Sequence, residues 1–343
     1  MKALALLSGG LDSILAVKLI QEQGIDVVAV NFTSPFCLCG KGDYGADEAA
    51  KQFGVPLKII SLGENYFKML RKPKYGYGKN MNPCIDCRIF MLERAKKYAE
   101  EIDASFIFTG EVLNERPMSQ NRKALEIVEK EAGLKDKILR PLSAKLLPAT
   151  EAEKKGYVDR EKLLDIKGRS RKRQIQLAGE LGVQDYPCPA GGCLLTCREF
   201  AAKLGDLFEH KKKVTLKDVN LLKVGRHFRF GKNKIVVGRN EGENKQLQRM
   251  KNIDDFCFEV PNCGSPWTLL QGPKIEEAVR LAAALTLRYS DEKGEEKRLV
   301  KFGREKLDKS VIVSPLDFSE IERLRIKWPT FSRSKCSSSI RAV

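Results

Sequence analysis

The sequence predicts an α/β fold built on a doubly wound, mostly parallel sheet, followed by a smaller α+β domain. Three observations predict it. Short apolar runs alternate with amphipathic stretches through the first half, the rhythm of strand–helix–strand units. After roughly residue 205 that alternation gives way to a hairpin, further short strands and one long amphipathic helix. The 343 residues are enough for two cores. We therefore expect one domain over 1–200, a second over 201–330, and a polar, Ser-rich, disordered tail over 331–343.

In order, "KALALL" reads as a buried strand, and Ile14, Leu15, Ala16, Leu19 and Ile20 follow at helical spacing until Gly24 closes the helix. "IDVVAVNF" is a second strand, "ADEAAKQFG" a helix and "VPLKIISL" a third strand. "CIDCRIFMLERAKKYAEEI" is a helix with two cysteines in its first turn. "ASFIFTG" is the fourth strand, "KILRPLS" the fifth, and residues 151–183 are helical. Beyond them lie the hairpin "GRHFRFGKNKIVVGRN", the helix "EGENKQLQRM", the strands "DDFCFEV" and "SPWTLLQG", the helix "PKIEEAVRLAAALTLRYS", and strands in "VKFGR" and "SVIVSP".

No apolar run approaches the roughly 18 residues needed to span a bilayer. Ser8-Gly9-Gly10 and Asp12 cut the apolar start too early for a signal peptide, so a cytoplasmic protein with no membrane partner is expected. Lys and Arg number 62 against 45 Asp and Glu, a formal charge of +17, which favours a polyanionic partner through counterion release. The basic run from Lys167 to Arg173 is either part of that or a solvated helix face. Ten cysteines and only two histidines mean that a metal site would be built mainly of thiolates, which select zinc, copper(I) or iron–sulfur clusters.

"LLSGGLDSILAV" is a strand, a glycine-rich turn and a helix. Gly9 and Gly10 let the backbone approach an anion, and the helix turns its positive end to the same place. Ser8 and Ser13 add hydroxyls, and Asp12 can hold Mg²⁺ or cap the helix. The stretch lacks both the Walker A ending and the dinucleotide glycine pattern. As Ser-Gly-Gly-x-Asp-Ser after a first strand, it resembles the PP-loop of the ATP pyrophosphatases, which split ATP into AMP and pyrophosphate. That resemblance implies an ATP pocket made by Ser8, Gly9, Gly10, Leu11, Asp12, Ser13, Asn31 and Gly110, with Mg²⁺ at Asp12. Gly110 is expected to let a phosphate pass close, and Arg116 and Gln120 to contact phosphate or substrate.

"NPCIDCR" and "YPCPAGGCLLT" select a branch of that family. Together with residues 8–13 and "IFTG" they resemble, in order, the layout of the tRNA 2-thiouridylases over about the first 200 residues. The resemblance implies catalytic roles for Asp12, Cys84, Cys87 and Cys193. Two chemistries fit three thiolates beside ATP: a cysteine persulfide that leaves a disulfide, or a 4Fe–4S cluster with one open iron. Cysteine rather than aspartate at position 84 favours the cluster, held by Cys84, Cys87 and Cys193, and a helix start stabilises a thiolate in either case. A structural zinc is the rival. Cys37, Cys39, Cys188 and Cys197 stay without a role, and "KPKYGYGKNMNPC" reads as a mobile basic lid or a plain surface loop.

The 2-thiouridylases end in small β-barrels, from which this chain departs. "NKIVVGRNEGENKQLQR" resembles instead the RNA-binding module of NFACT-type ribosome quality-control proteins, and implies RNA contacts from Arg226, Arg229, Arg239, Asn240 and Asn244. The expected function is an ATP-dependent tRNA sulfurtransferase, with sulfur arriving from outside as sulfide or from a cysteine desulfurase. A nucleotide-gated RNA-binding factor and a PP-loop transferase acting on a small molecule are the alternatives.

Overall fold

The computed structural model describes residues 1–37, 45–183, 185–186, 192–292, 294 and 296–327. Cys39, Cys188, Cys336 and the expected tail over 331–343 lie outside them. The chain divides into two compact units, Met1–Thr196 and Cys197–Val343.

The first unit runs β1 (Lys2–Leu6), α1 (Leu11–Gln21), β2 (Asp26–Thr33), α2 (Ala46–Gln52), β3 (Leu57–Ser61), α3 (Gly63–Arg71), α4 (Cys84–Glu101), β4 (Phe106–Thr109), α5 (Arg122–Glu131), β5 (Ile138–Leu139), α6 (Glu151–Lys154) and α7 (Lys172–Glu180). Its sheet has the order β3-β2-β1-β4-β5, and every pair is parallel. Alternate residues of β1 go to opposite faces: Ala3 and Ala5 join the core under α1, while Leu4 joins Leu92 and Ala95 of α4. Burial on both faces is why the strand reads as a continuous apolar run. The expected fifth strand shrinks to two residues, because Arg140 and Pro141 beyond it turn away from the ladder.

Chain order reverses at β1, which has β2 on one side and β4 on the other. The crevice for a ligand in such sheets opens at the carboxyl ends of the strands at that reversal. Residues 7–10 and 110–113 lie there.

The second unit adds α8 (Arg198–His210), α9 (Leu216–Leu221), β6 (Arg226–Phe230), β7 (Asn233–Val237), α10 (Glu241–Met250), β8 (Phe256–Glu259), β9 (Thr268–Gln271), α11 (Glu276–Arg288), β10 (Arg298–Gly303), β11 (Lys309–Val313) and α12 (Phe318–Leu324). The strands form one antiparallel sheet in the order β11-β10-β8-β9-β7-β6. Phe256 and Phe258 of β8 pack with α11 and α12 on one face. Cys257 between them packs on the other with Leu221, Val224 and Leu247. Among the described residues no helix is long and apolar enough to cross a membrane.

Gly110 holds the crevice together. A Cβ there would stand 2.4 Å from Ser13 N and 2.5 Å from the Asp12 carbonyl carbon, so the end of β4 lies directly on the first turn of α1. Gly110→Ala is expected to cost about 1–3 kcal/mol, the usual range for overpacking, measured by urea denaturation; an unchanged midpoint would contradict this packing.

Candidate active site

The phosphate loop is organised by its own hydroxyls. Ser13 Oγ donates to Gly10 O at 2.7 Å and lies 3.1 Å from Ser8 Oγ, and Ser8 N donates to Ser13 Oγ at 3.2 Å. Gly9 has φ +80, and a Cβ on it would lie 2.6 Å from the Gly45 carbonyl carbon, so glycine is required on two counts. Asn31 Nδ2 donates to Leu7 O at 2.7 Å, which fixes the carbonyl where β1 enters the loop. Leu11 is buried beneath it. Ser8, Gly9, Gly10, Leu11, Asp12, Ser13, Asn31 and Gly110 thus gather at one end of β1. For Gly110 the structure supplies a reason other than passage of a phosphate, namely contact with the α1 backbone.

Burial pushes the Asp12 carboxyl above the usual range, against Arg171, the Gln174 amide and Arg116, which all act to lower it. Arg171 immediately precedes α7 and Gln174 lies in its first turn; α7 packs on α1. The basic run is therefore not simply a solvated face. Gln120 is buried, its Oε1 accepting from Arg116 N at 2.9 Å, and so shapes the loop. Arg116 itself is exposed.

Glu111, next after Gly110, is buried between Arg140 (Nε–Oε2 3.1 Å) and Arg88 (Nε–Oε1 3.4 Å). Arg140 also pairs with Glu129. Burial raises the Glu111 pKa, but the two guanidiniums outweigh it and hold the carboxyl below its ordinary value. Arg88 follows Cys87 in α4, so one carboxylate ties the cysteine helix to the segment lying on the phosphate loop.

Cys84 opens α4 and Cys87 follows one turn later. Cys193 forms a backbone bridge with Cys37, supported by Leu194 N donating to Phe36 O at 2.8 Å. Tyr66 donates its hydroxyl to Cys87 Sγ at 3.1 Å, and burial together with the nearby Cys87, Cys193 and Cys84 raises its pKa. Phe36 and Phe90 flank that ring at 6.1 and 5.4 Å. Burial raises the Cys87 pKa despite the Tyr66 hydrogen bond, so the stabilisation expected from the helix end is outweighed here. Among the described residues no three His, Cys, Asp or Glu side chains stand close enough to hold a single metal ion. Three thiols near one phenol are soft donors of the kind an iron–sulfur cluster takes.

The expected lid, residues 72–84, is tied down. Asp86 of the Cys-x-x-Cys pair accepts from Lys74 N at 2.6 Å and Tyr75 N at 3.1 Å. Asn80 Nδ2 donates to Thr196 O at 2.7 Å, and Met81 N to Leu195 O at 3.1 Å. This loop also seats the 193–196 turn.

The five residues expected to contact RNA all have work inside the second unit. Arg229 makes a bidentate pair with Asp206 at 2.8 and 2.6 Å, and its side chain is only 16% exposed. Arg226 lies over the Tyr289 ring at 4.4 Å and donates to Gly238 O. Asn240 caps α10, accepting from Glu243 N at 3.0 Å, and Arg239 pairs with Glu243. Asn244 Oδ1 accepts from Trp267 N at 2.9 Å, while Nδ2 donates to Ser265 O at 3.3 Å. Leu247, last of the motif, is fully buried. The motif builds the start of α10 and clamps it to β9; of the five, Arg239 keeps its side chain 48% exposed. An open cleft in the same unit carries four cations against Glu305 and Asp308. There Lys274 and Arg304 lie over the Phe256 ring at 5.1 and 5.0 Å, beside exposed Lys306 and Lys309.

Sequence reasoning missed Tyr66, Glu111, Arg140 and Gln174 as parts of these sites, and held Arg171 only as one member of a basic run. Glu111 and Arg140 carry a signal, a charge just past a buried strand. Tyr66 lies in α3, a helix not among the expected elements.

Comparison with known proteins gives the following. Residues 1–145 match the family described as Thiamine biosynthesis protein (ThiI), and residues 225–325 match the NFACT protein RNA binding domain. The tRNA-specific 2-thiouridylase MnmA of Xanthobacter autotrophicus is 28% identical over 213 residues, 57% of this chain and 51% of that protein. The enzyme of the same name from Deinococcus radiodurans is 28% identical over 123 residues, 32% of each. A solved 4-thiouridine synthetase–RNA complex with bound ATP is 26% identical, covers 53% of this chain and 51% of its own, and has a TM-score of 0.32. This chain spans about a third to a half of the length of these curated relatives.

Two outcomes are expected. Glu111→Ala leaves Arg140 and Arg88 short of a carboxylate and should cost about 3 kcal/mol by urea denaturation. Because the folded pKa of Glu111 is depressed, that difference is full above its ordinary value of 4.5 and shrinks as pH falls below it; a difference independent of pH would contradict the assignment. Arg229→Ala should cost about 2 kcal/mol as a lost charge-assisted pair, with RNA affinity kept by the folded fraction; a normal stability with lost RNA binding would reverse that reading.

Proposed function

We propose that this chain, a PP-loop protein of the thiouridylase-like type with an NFACT-type RNA-binding module, is an ATP-dependent tRNA sulfurtransferase that forms a thiouridine. The observation that carries the reading is the meeting of a PP-loop with three thiols at the carboxyl end of one parallel sheet, joined through Arg88 and Glu111.

Gly9, Gly10 and the start of α1 offer N–H groups to the phosphates of ATP, and Asp12 takes Mg²⁺. A uracil carbonyl oxygen attacks the α-phosphorus, and pyrophosphate leaves with the electron pair of the broken bond. Sulfur then adds to the activated carbon, and AMP departs with the former carbonyl oxygen. Adenylation is needed because a carbonyl oxygen is otherwise a poor leaving group.

Cys84, Cys87 and Cys193 would hold a 4Fe–4S cluster, which when bound supplies an open iron for a sulfide. The chain's own share is to pack Phe36, Tyr66 and Phe90 around the thiols and to hold the Cys87 sulfur with the Tyr66 hydroxyl. The second reading is a cysteine persulfide mechanism, favoured by the bridge that sets Cys37 beside Cys193. Sulfide supplies the sulfur in the first reading, and in the second a cysteine desulfurase passes sulfane sulfur from its own persulfide, keeping its thiol. Protein purified without oxygen is expected to be brown with about four irons per chain, and alanine at Cys84, Cys87 or Cys193 should remove both iron and thiolation. Full activity in iron-free protein would favour the persulfide.

In the second unit RNA contact falls to exposed cations, Arg239 and those of the Phe256 cleft. Replacing Lys274 and Arg304 together with alanine should weaken tRNA binding and reduce its salt slope by about 2. An unchanged dissociation constant at two salt concentrations would move the RNA face elsewhere. Asp12→Ala should abolish tRNA-dependent AMP formation with tRNA affinity nearly unchanged; retained AMP formation would remove Asp12 from the chemistry.

A further inference from the structure

Four buried polar atoms lack a well-formed hydrogen bond where α7 packs on α1: Asp12 Oδ1, Arg171 Nε, and both amide atoms of Gln174, which lies near enough to Asp12 to act on its carboxyl. Nine such atoms occur among the described residues, so this one place holds nearly half of them. Buried polar groups are almost always paired, and a cluster of exceptions calls for a ligand. Gln174 is fully buried in the first turn of α7, a nine-residue helix that begins at Lys172 and Arg173 directly after Arg171.

The chemistry of the cluster is specific. The α7 start presents N–H groups and its positive end, Arg171 adds a guanidinium, and exposed Arg116 stands close enough to act on the same carboxylate. An anion suits these donors, and Asp12 beside them suits a cation carried by that anion. A magnesium polyphosphate has both parts. The phosphate loop supplies one wall for it, and the α7 turn faces that loop across Asp12.

We propose that Arg171 and Gln174 form the second wall of the phosphate pocket and hold the pyrophosphate that leaves when ATP is split between its α- and β-phosphates. This rests on the adenylating function proposed above. The bond from the α-phosphorus to the bridging oxygen breaks as the carbonyl oxygen bonds to phosphorus, and the electron pair stays on pyrophosphate. Arg171 meets the charge that develops there, while Gln174 accepts and donates at once, steadying Asp12 and a phosphate oxygen. AMP lacks the leaving phosphates and does not use this wall.

Isothermal titration of the full chain with inorganic pyrophosphate and, separately, AMP, both with Mg²⁺, tests it. Arg171→Met should weaken pyrophosphate binding by about tenfold, the worth of one charge-assisted contact, with AMP affinity unchanged. Gln174→Leu should act in the same direction, Arg171→Lys should recover part of the loss, and Ile175→Ala on the exposed face of α7 should change neither ligand. Wild-type pyrophosphate affinity in folded Arg171→Met overturns the wall, and so does an equal loss of both ligands. If the wild-type chain binds neither AMP nor pyrophosphate, the adenylating function itself falls, and the wall with it.

Discussion

One buried carboxylate sets the geometry on which the first unit depends. Glu111 sits between Arg88 and Arg140, immediately after the glycine that lies on the α1 backbone. Its neighbours on one side fix the phosphate loop, and Arg88 on the other fixes the turn of α4 that carries Cys87. An isolated ion buried this deeply would be costly, so the two guanidiniums are required once the carboxylate is there. What the arrangement gains is registration: a thiol helix and a phosphate loop from distant parts of the sequence are held to one another by directed contacts. Apolar packing alone would allow the helix to slide.

The second unit separates architecture from recognition. Its signature, Gly238-Arg239-Asn240 followed by Asn244 and Leu247, caps α10, closes against Trp267 and enters the core. Such a motif is recognisable because the fold needs it. Surface cations that meet a phosphate backbone have far looser positional demands, and a cation at Lys274 or Arg304 leaves no pattern in the sequence beyond the net charge of +17.

The alternation of strands and helices, the loop at residues 8–13 and the paired cysteines were legible because each depends on local chemistry. Periodicity predicts β1 through β4 and α4, and glycine where φ is positive predicts the turn at Gly9. The groups that complete the site were not legible, since each works through a partner remote in sequence. Tyr66 meets Cys87, Arg88 meets Glu111, and Gln174 approaches Asp12 only once the sheet has formed. Gly110 shows the same limit in reverse. It was visible as a glycine at a strand end, but its purpose, contact with α1, is a tertiary fact.

The chemical claim at the centre is that ATP activates a uracil oxygen. Transfer RNA transcribed with ¹⁸O in the uracil carbonyls, O2 or O4 in separate preparations, tests it under single-turnover conditions with sulfide. Mass spectrometry of the released AMP should find the heavy oxygen in its phosphate from one of the two preparations, at one label per thiouridine formed. AMP free of label from both, while thiouridine accumulates, would contradict adenylation of the base.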